Sequence, residues 1–310
     1  MSNFKLKVDL LKILDDELIK QNSKERYRPP RRVPTIWPTE ASVQWRAENG
    51  ALITEGACHR AVYYRLTGAE KTEEVVPRMH WVWQTGNWWE DECNRLGKKS
   101  DILVANSVRF FDYSVPLPVS GEMDAVYKVP DDPGDSLFVV DYKSTGGSYY
   151  GNVKLLGNRS TKPFPKVEAL LQLMVYLKQD TRLAFGMLLY LVRDKMERTQ
   201  FHIELEEDEQ LGARIAKVNG KTYPQYSLEE IYRRYEILCD YYMRKELPPR
   251  DYDYVYSMER AQELFDVGQI TKTAKADVEK GKDRGDWRCS YCNYRTKCLA
   301  DTAKEEEEKS

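Results

Sequence analysis

"SLFVVDYKSTGG", residues 136–147, holds a run of bulky residues that ends at a glycine pair. Leu137 to Val140 together with Tyr142 suit a buried or half-buried strand. Asp141 and Lys143 interrupt the run two positions apart, and side chains at i and i+2 share one face of a strand. A carboxylate and an ammonium therefore point the same way at the end of an apolar strand. Most Asp-x-Lys pairs on strands are surface ion pairs, so the surroundings decide what this one does.

One strand upstream, "GEMDAVYKV" sets Asp124 among apolar neighbours. If 119–128 and 137–143 pair as a hairpin, Asp124 and Asp141 meet at one end of the sheet. Two close carboxylates repel, and burial raises their pKa further. A hard divalent cation removes that problem. Mg²⁺ or Mn²⁺ takes oxygen ligands, is held by one or two carboxylates and keeps sites for water and a substrate phosphate. Lys143 would then orient or deprotonate the attacking water, or stabilise charge on the phosphate. Glu90 in "GNWWEDEC" offers a third carboxylate from a preceding helix. Gln172 and Tyr176 share one face of a following helix at i, i+4, and Glu168 extends that stripe.

The rest of the chain frames this group. Its 310 residues are 41% hydrophobic, enough for a substantial core, and 12% aromatic, which argues against disorder. Lys+Arg 48 against Asp+Glu 50 leaves a net charge of −2, so a polyanion site has to be a local patch. The apolar runs fall short of the roughly 18 residues of a membrane span. The amino end lacks a signal-peptide pattern, so the expected location is cytoplasmic, with no membrane partner.

Leu10, Leu14 and Leu18 mark an amphipathic first helix, and "ERYRPPRRVP" (25–34) is an extended basic segment. Helical patterns follow over about 40–48, 56–66 and 73–97. Strand patterns run from 102 to 143, with "PDDPGD" as a turn. "PKVEALLQLMVYLKQ" (165–179) is helical, "AFGMLLYLVRD" and "RTQFHIELE" read as strands, and 227–247 is a long helix ended by Pro248 and Pro249. A cysteine-rich loop and an acidic tail, expected to fray, complete the chain. The order implies an α/β core around a small mixed sheet flanked by helices.

Cys289-x₂-Cys292-x₅-Cys298 supplies three thiolates within ten residues. Zinc or a [4Fe–4S] cluster would each suit four cysteines, with Cys58, Cys93 and Cys239 as sources of the fourth. Cys93 and Cys239, inside helical patterns, read as small buried residues. Arg26, Arg28, Arg31 and Arg32, with Arg60 and Arg65, form the expected positive lining, joined by Lys154, Arg159, Lys162 and Lys166 in a loop after the Asp141 strand. Trp88 and Trp89 could stack bases, although core packing is the commoner use of such residues. No base-reading motif and no helicase P-loop occurs.

In chain order, "ACHRAVYYRLTG", "TGNWWE", "GEMDAVY", "VVDYKST", "LLQLMVY" and "CSYCNYRTKC" resemble the PD-(D/E)xK nuclease superfamily. The likeness is to its RecB-type branch, which includes iron–sulfur CRISPR-adaptation exonucleases and phage homologues, and it spans roughly residues 40–300. The resemblance implies a restriction-endonuclease-like core with a cysteine-ligated iron–sulfur region. Asp124, Asp141, the Tyr142 carbonyl and Glu90 would hold Mg²⁺ or Mn²⁺. Lys143 would be catalytic, supported by Gln172 and Tyr176. Cys58 would join Cys289, Cys292 and Cys298 on a structural [4Fe–4S] cluster.

The domain layout expected from this is an N-terminal helix and basic segment (1–35), a nuclease domain (36–300) and an acidic tail (301–310). The activity implied is a metal-dependent exonuclease on single-stranded DNA or DNA ends, served by a separate helicase or by recombination or adaptation proteins. The alternative is a DNA-end-binding subunit of such a complex with little or no activity. One position departs from the family pattern: where a histidine usually follows the helix glycine by four residues, Gly86 is followed by Glu90. His80 does not substitute, because ten residues back on a helix it faces about 80° away.

Overall fold

The computed structural model describes residues 10–25, 33–73, 75–130, 132, 136–147, 154–157 and 162–307. Helix α1 (Leu10–Glu25) precedes a short 3₁₀ turn (Pro38–Glu40) and a hairpin of β1 (Ser42–Arg46) and β2 (Leu52–Gly56). Helices α2 (His59–Leu66) and α3 (Pro77–Lys99) follow, then strands β3 (Leu103–Asp112), β4 (Val119–Lys128) and β5 (Leu137–Thr145). Helix α4 (Val167–Leu177) leads to β6 (Leu183–Val192), β7 (Glu197–Asp208), β8 (Ala213–Val218) and β9 (Lys221–Ser227). The chain closes with α5 (Leu228–Arg244), α6 (Met258–Asp266), α7 (Lys272–Glu279), α8 (Trp287–Ser290) and α9 (Arg295–Glu307).

The main sheet has seven strands in the order β3-β4-β5-β6-β7-β8-β9, larger than the small sheet expected. Only β5 and β6 run parallel, which requires the crossover that α4 supplies. All of Ala169–Leu177 in α4 is buried, as an apolar helix sunk between layers should be. It packs with α5 against one face of the sheet, around Val139, Leu188, Phe201 and Ile231. On the other face, Trp89 of α3 meets Val140, Tyr142 and Leu191. The amino end of α5 is held by Ser227, whose Oγ accepts the Glu230 N–H at 3.1 Å.

Several expectations are corrected. Residues 42–46 form a strand, not a helix, because Asn49 and Gly50 make a hairpin turn. Gly50 has φ +83°, and the Asn49 side chain accepts the Ala51 N–H. Asn219 and Gly220, at φ +48° and +81°, turn β8 into β9 in the same way, and neither strand was anticipated. The stretch read as a cysteine-rich loop contains α6 and α7, which Ser257 and Thr271 cap. The acidic tail is helical through Glu307 and docked: Glu305 takes both oxygens to Arg60, at 2.9 and 3.0 Å. Most of the "PDDPGD" turn lies outside the described residues.

Candidate active site

Strands β4 and β5 pair from Lys128↔Leu137 to Ala125↔Val140 and then part. Beyond that point β5 keeps pairing with β6, as far as Thr145↔Val192. Asp124 and Asp141 are the first residues past the last β4–β5 pair, so the fork opens between two carboxylates. A cavity of about 1390 Å³ lies there, lined by both aspartates with Glu90, Glu122, Lys143, Gln172 and Tyr176. The Asp-x-Lys pair is therefore no surface ion pair.

Asp141 is fully buried, and Lys143 Nζ stands 2.8 Å from its Oδ2 and 3.0 Å from its Oδ1. The same ammonium donates to Gln172 Oε1 at 3.0 Å. Gln172 Nε2 reaches Asp141 Oδ1 at 3.4 Å and the Tyr176 hydroxyl at 2.6 Å, and that hydroxyl donates to the Glu122 carbonyl at 2.9 Å. The i, i+4 pair on α4 thus fixes the lysine from one side and β4 from the other. Asp124 Oδ2 accepts the Tyr142 N–H at 2.8 Å. The Tyr142 ring turns to the opposite face, where its hydroxyl bonds Asn94 and lies 2.6 Å from that of Tyr127.

Helix α3 brings Glu90. A Cβ built on Gly86, one turn earlier, would sit 3.5 Å from Ser144 Oγ, so the helix lies close over β5 there. Burial, then Asp141, raises the Asp124 pKa well above the carboxylate range, and Lys143 only partly offsets them. Burial, then Asp91, Asp141 and Glu122, raises Glu90 as well. Burial alone would lower Lys143, yet Asp141 and Asp124 outweigh it and hold the pKa above that of an ordinary lysine.

As the side chains stand, no group of three His, Cys, Asp or Glu residues among those described is close enough to grip an ion. The donor chemistry nevertheless suits a hard cation. Asp141 Oδ2 is buried without hydrogen-bond geometry to any partner. Asp124 needs only to exchange one backbone N–H. One or two carboxylates are the usual protein share of a Mg²⁺ shell.

The four cysteines lie elsewhere. Cys58, Cys289, Cys292 and Cys298 line a second cavity of about 590 Å³ with Arg60, Tyr64 and Tyr252. Burial, then Cys58, Asp286, Cys292 and Cys298, pushes the Cys289 thiol up to about 12. Burial and Asp251 push Cys58 up to about 11. The four cysteines line one cavity, but as their side chains stand no three of them are close enough together to hold a metal ion. Cys239 is buried in the main core, as expected.

Other expected residues are distributed differently. Arg60 is buried, bound to Glu305, Thr302 and the Pro248 carbonyl, so it clamps α2 to α9 beside the cysteine cavity and does not line the cavity of Asp124 and Asp141. Arg65 is engaged by Glu40. Glu168 pairs with Arg288 at 2.6 Å, toward the cysteine cavity. Lys154 and Lys162 are exposed and line neither cavity. Arg26, Arg28, Arg31, Arg32 and Arg159 lie outside the described residues. Trp89 is core and Trp88 is exposed, but the wall of the active cavity carries Trp83 instead. His80 is buried against Trp83, a packing role. Glu122, Arg109, Phe111 and Tyr113 were not anticipated. Glu122, two residues before Asp124, was legible from strand alternation.

The family model of the PD-(D/E)XK nuclease superfamily matches residues 39–299. The crystal structure of SSO0001 is similar over 91% of this chain and 95% of its own, at 14% identity and a TM-score of 0.45. No curated protein matches the chain.

Proposed function

The chain belongs to the PD-(D/E)XK nuclease superfamily, and from that premise we propose that it is a Mg²⁺- or Mn²⁺-dependent exonuclease acting on single-stranded DNA or DNA ends. The supporting observation is the fully buried Asp141 carboxylate, ion-paired with Lys143 and lining the large cavity together with Asp124.

Asp124 and Asp141 would hold the cation, with the Tyr142 carbonyl and Glu90 completing the protein's share. A divalent ion there supplies a Lewis acid and lowers the pKa of a bound water. Lys143 orients or deprotonates the attacking water, or offsets charge on the phosphate. Gln172 sets the lysine's direction, and Tyr176 ties Gln172 to β4. Glu90 in place of a histidine adds negative charge, which favours a hard cation.

Cys58, Cys289, Cys292 and Cys298 form a structural [4Fe–4S] site in this reading, joining the start of the nuclease domain to its end. Hydrolysis moves no electrons, so the cluster braces the fold. No helix among the described residues is long and apolar enough to cross a membrane.

Single strands labelled at the 5′ or 3′ end, incubated with Mg²⁺, Mn²⁺ or EDTA, test the activity. Metal-dependent release of nucleotides, abolished in Asp141→Ala, is expected. Tight binding without degradation by the wild type would overturn it and leave a DNA-end-binding subunit.

A further inference from the structure

The segment Arg109–Ser114 alternates sharply. Phe110 packs inward, edge-on to Tyr176 at 5.7 Å. Asp112 also turns inward and accepts from Lys178 at 2.6 Å, Tyr232 at 2.5 Å and the Ser114 N–H at 2.9 Å. Between and after these anchors, Phe111 and Tyr113 face out, 55% and 76% exposed. Their rings lie nearly parallel, 15° apart, with centroids at 6.4 Å. Strand β3 is an edge of the sheet, and both rings line the same cavity as Asp124, Asp141 and Lys143.

We propose that Phe111 and Tyr113 form a stacking platform for unpaired nucleobases at the mouth of the catalytic cavity. The proposal rests on the nuclease reading and deepens it by naming the feature that selects single-stranded substrate. Two nearly parallel, exposed aromatic rings offer flat apolar faces that any base can cover without reading its edge. Bases paired in a duplex already stack on each other and present no free face. Arg109, opposite Glu122 on β4 and paired with it at 2.7 Å, offsets one carboxylate at the rim where the strand would enter. The inward anchors explain the outward placement: Phe110 and Asp112 turn into the fold, so strand alternation sends Phe111 and Tyr113 to the other side. Phe110 also leans on the tyrosine that positions Gln172, which joins platform and catalytic lysine in one packed unit.

Binding in EDTA separates this from catalysis. Anisotropy of fluorescein-labelled (dT)15 is measured for the full chain and for Phe111→Ala/Tyr113→Ala. The comparison ligands are an abasic oligomer of equal length and a 15-bp duplex. The double variant is expected to bind (dT)15 about tenfold to a hundredfold more weakly, with little change on the abasic and duplex ligands. Phe111→Trp should keep the affinity for (dT)15 and Phe111→Leu should lose it. Unchanged (dT)15 binding in the double variant, or an equal loss on the abasic oligomer, would overturn the platform. Wild-type protein that shows the base-dependent binding yet never cleaves with Mg²⁺ or Mn²⁺ would sink the nuclease reading and leave the platform standing.

Discussion

The main-chain N–H of Tyr142 donates to Asp124 Oδ2 at 2.8 Å. A carboxylate on β4 is thereby clipped across the fork to the strand that carries Asp141. The clip lets a carboxylate whose pKa burial and Asp141 have raised sit in the fork without a cation. It also leaves the other oxygen of Asp124 available toward the cavity.

Asp124→Asn should keep the clip, since the amide oxygen can accept the same N–H, while removing the charge proposed to bind metal. Divalent-dependent cleavage should fall about a thousandfold, the scale of losing several kcal/mol of metal-assisted stabilisation. In EDTA the variant should melt a few degrees higher than wild type, because a repelled, desolvated charge has gone. A variant that stays active, or melts lower in EDTA, would contradict this.

Removing Lys143 has the opposite effect on stability. Asp141 is fully buried, so Lys143→Met leaves a buried carboxylate without its ammonium partner, with Gln172 Nε2 at 3.4 Å. Breaking such a pair costs about 3–5 kcal/mol. Denaturant unfolding in EDTA should show that loss, and millimolar Mn²⁺ should recover part of it by supplying a new counter-charge. Activity should stay absent even with metal. Stability indifferent to Mn²⁺ would mean that Asp141 is no ligand.

Much of this site could be read from the sequence because its signals are short-range. Strand alternation placed Asp141 and Lys143 on one face, and helical spacing joined Gln172 to Tyr176. Which charges stay free was not legible. Arg60 belongs to a stretch that reads as helical, and partners distant in sequence, Pro248, Thr302 and Glu305, make it a buried clamp. The missed hairpins carried their signal openly in Asn49-Gly50 and Asn219-Gly220, but the helical pattern of 40–48 was weighed above the turn. The platform was missed because a Phe-Phe-Asp-Tyr run does not reveal which rings are outside until Phe110 and Asp112 find partners more than 60 residues away.

Helix α3 is seated on the sheet through a missing side chain. A Cβ on Gly97 would lie 2.6 Å from the Tyr127 ring, whose hydroxyl belongs to the Tyr142 network. Gly97→Ala should cost about 1–3 kcal/mol of overpacking strain. It should also lower cleavage activity, because Glu90 rides on the same helix. Chemical unfolding and the Mn²⁺ concentration for half-maximal cleavage would both shift; an unchanged pair of values would show that Tyr127 yields freely.

The anchor beneath the platform sets a limit on acid stability. Burial alone would raise the pKa of Asp112, but hydrogen bonds from Lys178, Ser114 and Tyr232 outweigh it and hold the carboxyl well below its usual range. A carboxylate depressed in the folded state adds stability that is fully present above its unfolded pKa, about 3.9, and is lost as pH falls below that value. Wild-type protein should therefore lose this contribution progressively below about pH 4. Asp112→Asn leaves Lys178 without its counter-charge and should cost about 3 kcal/mol at pH 7, with a smaller further loss on acidification than the wild type shows. Because Asp112 also holds the turn at Ser114, the variant should weaken binding of (dT)15 while the duplex is unaffected. Parallel stability curves for the two proteins from pH 7 to pH 3 would show that the anchor is not ionised in the way its partners imply.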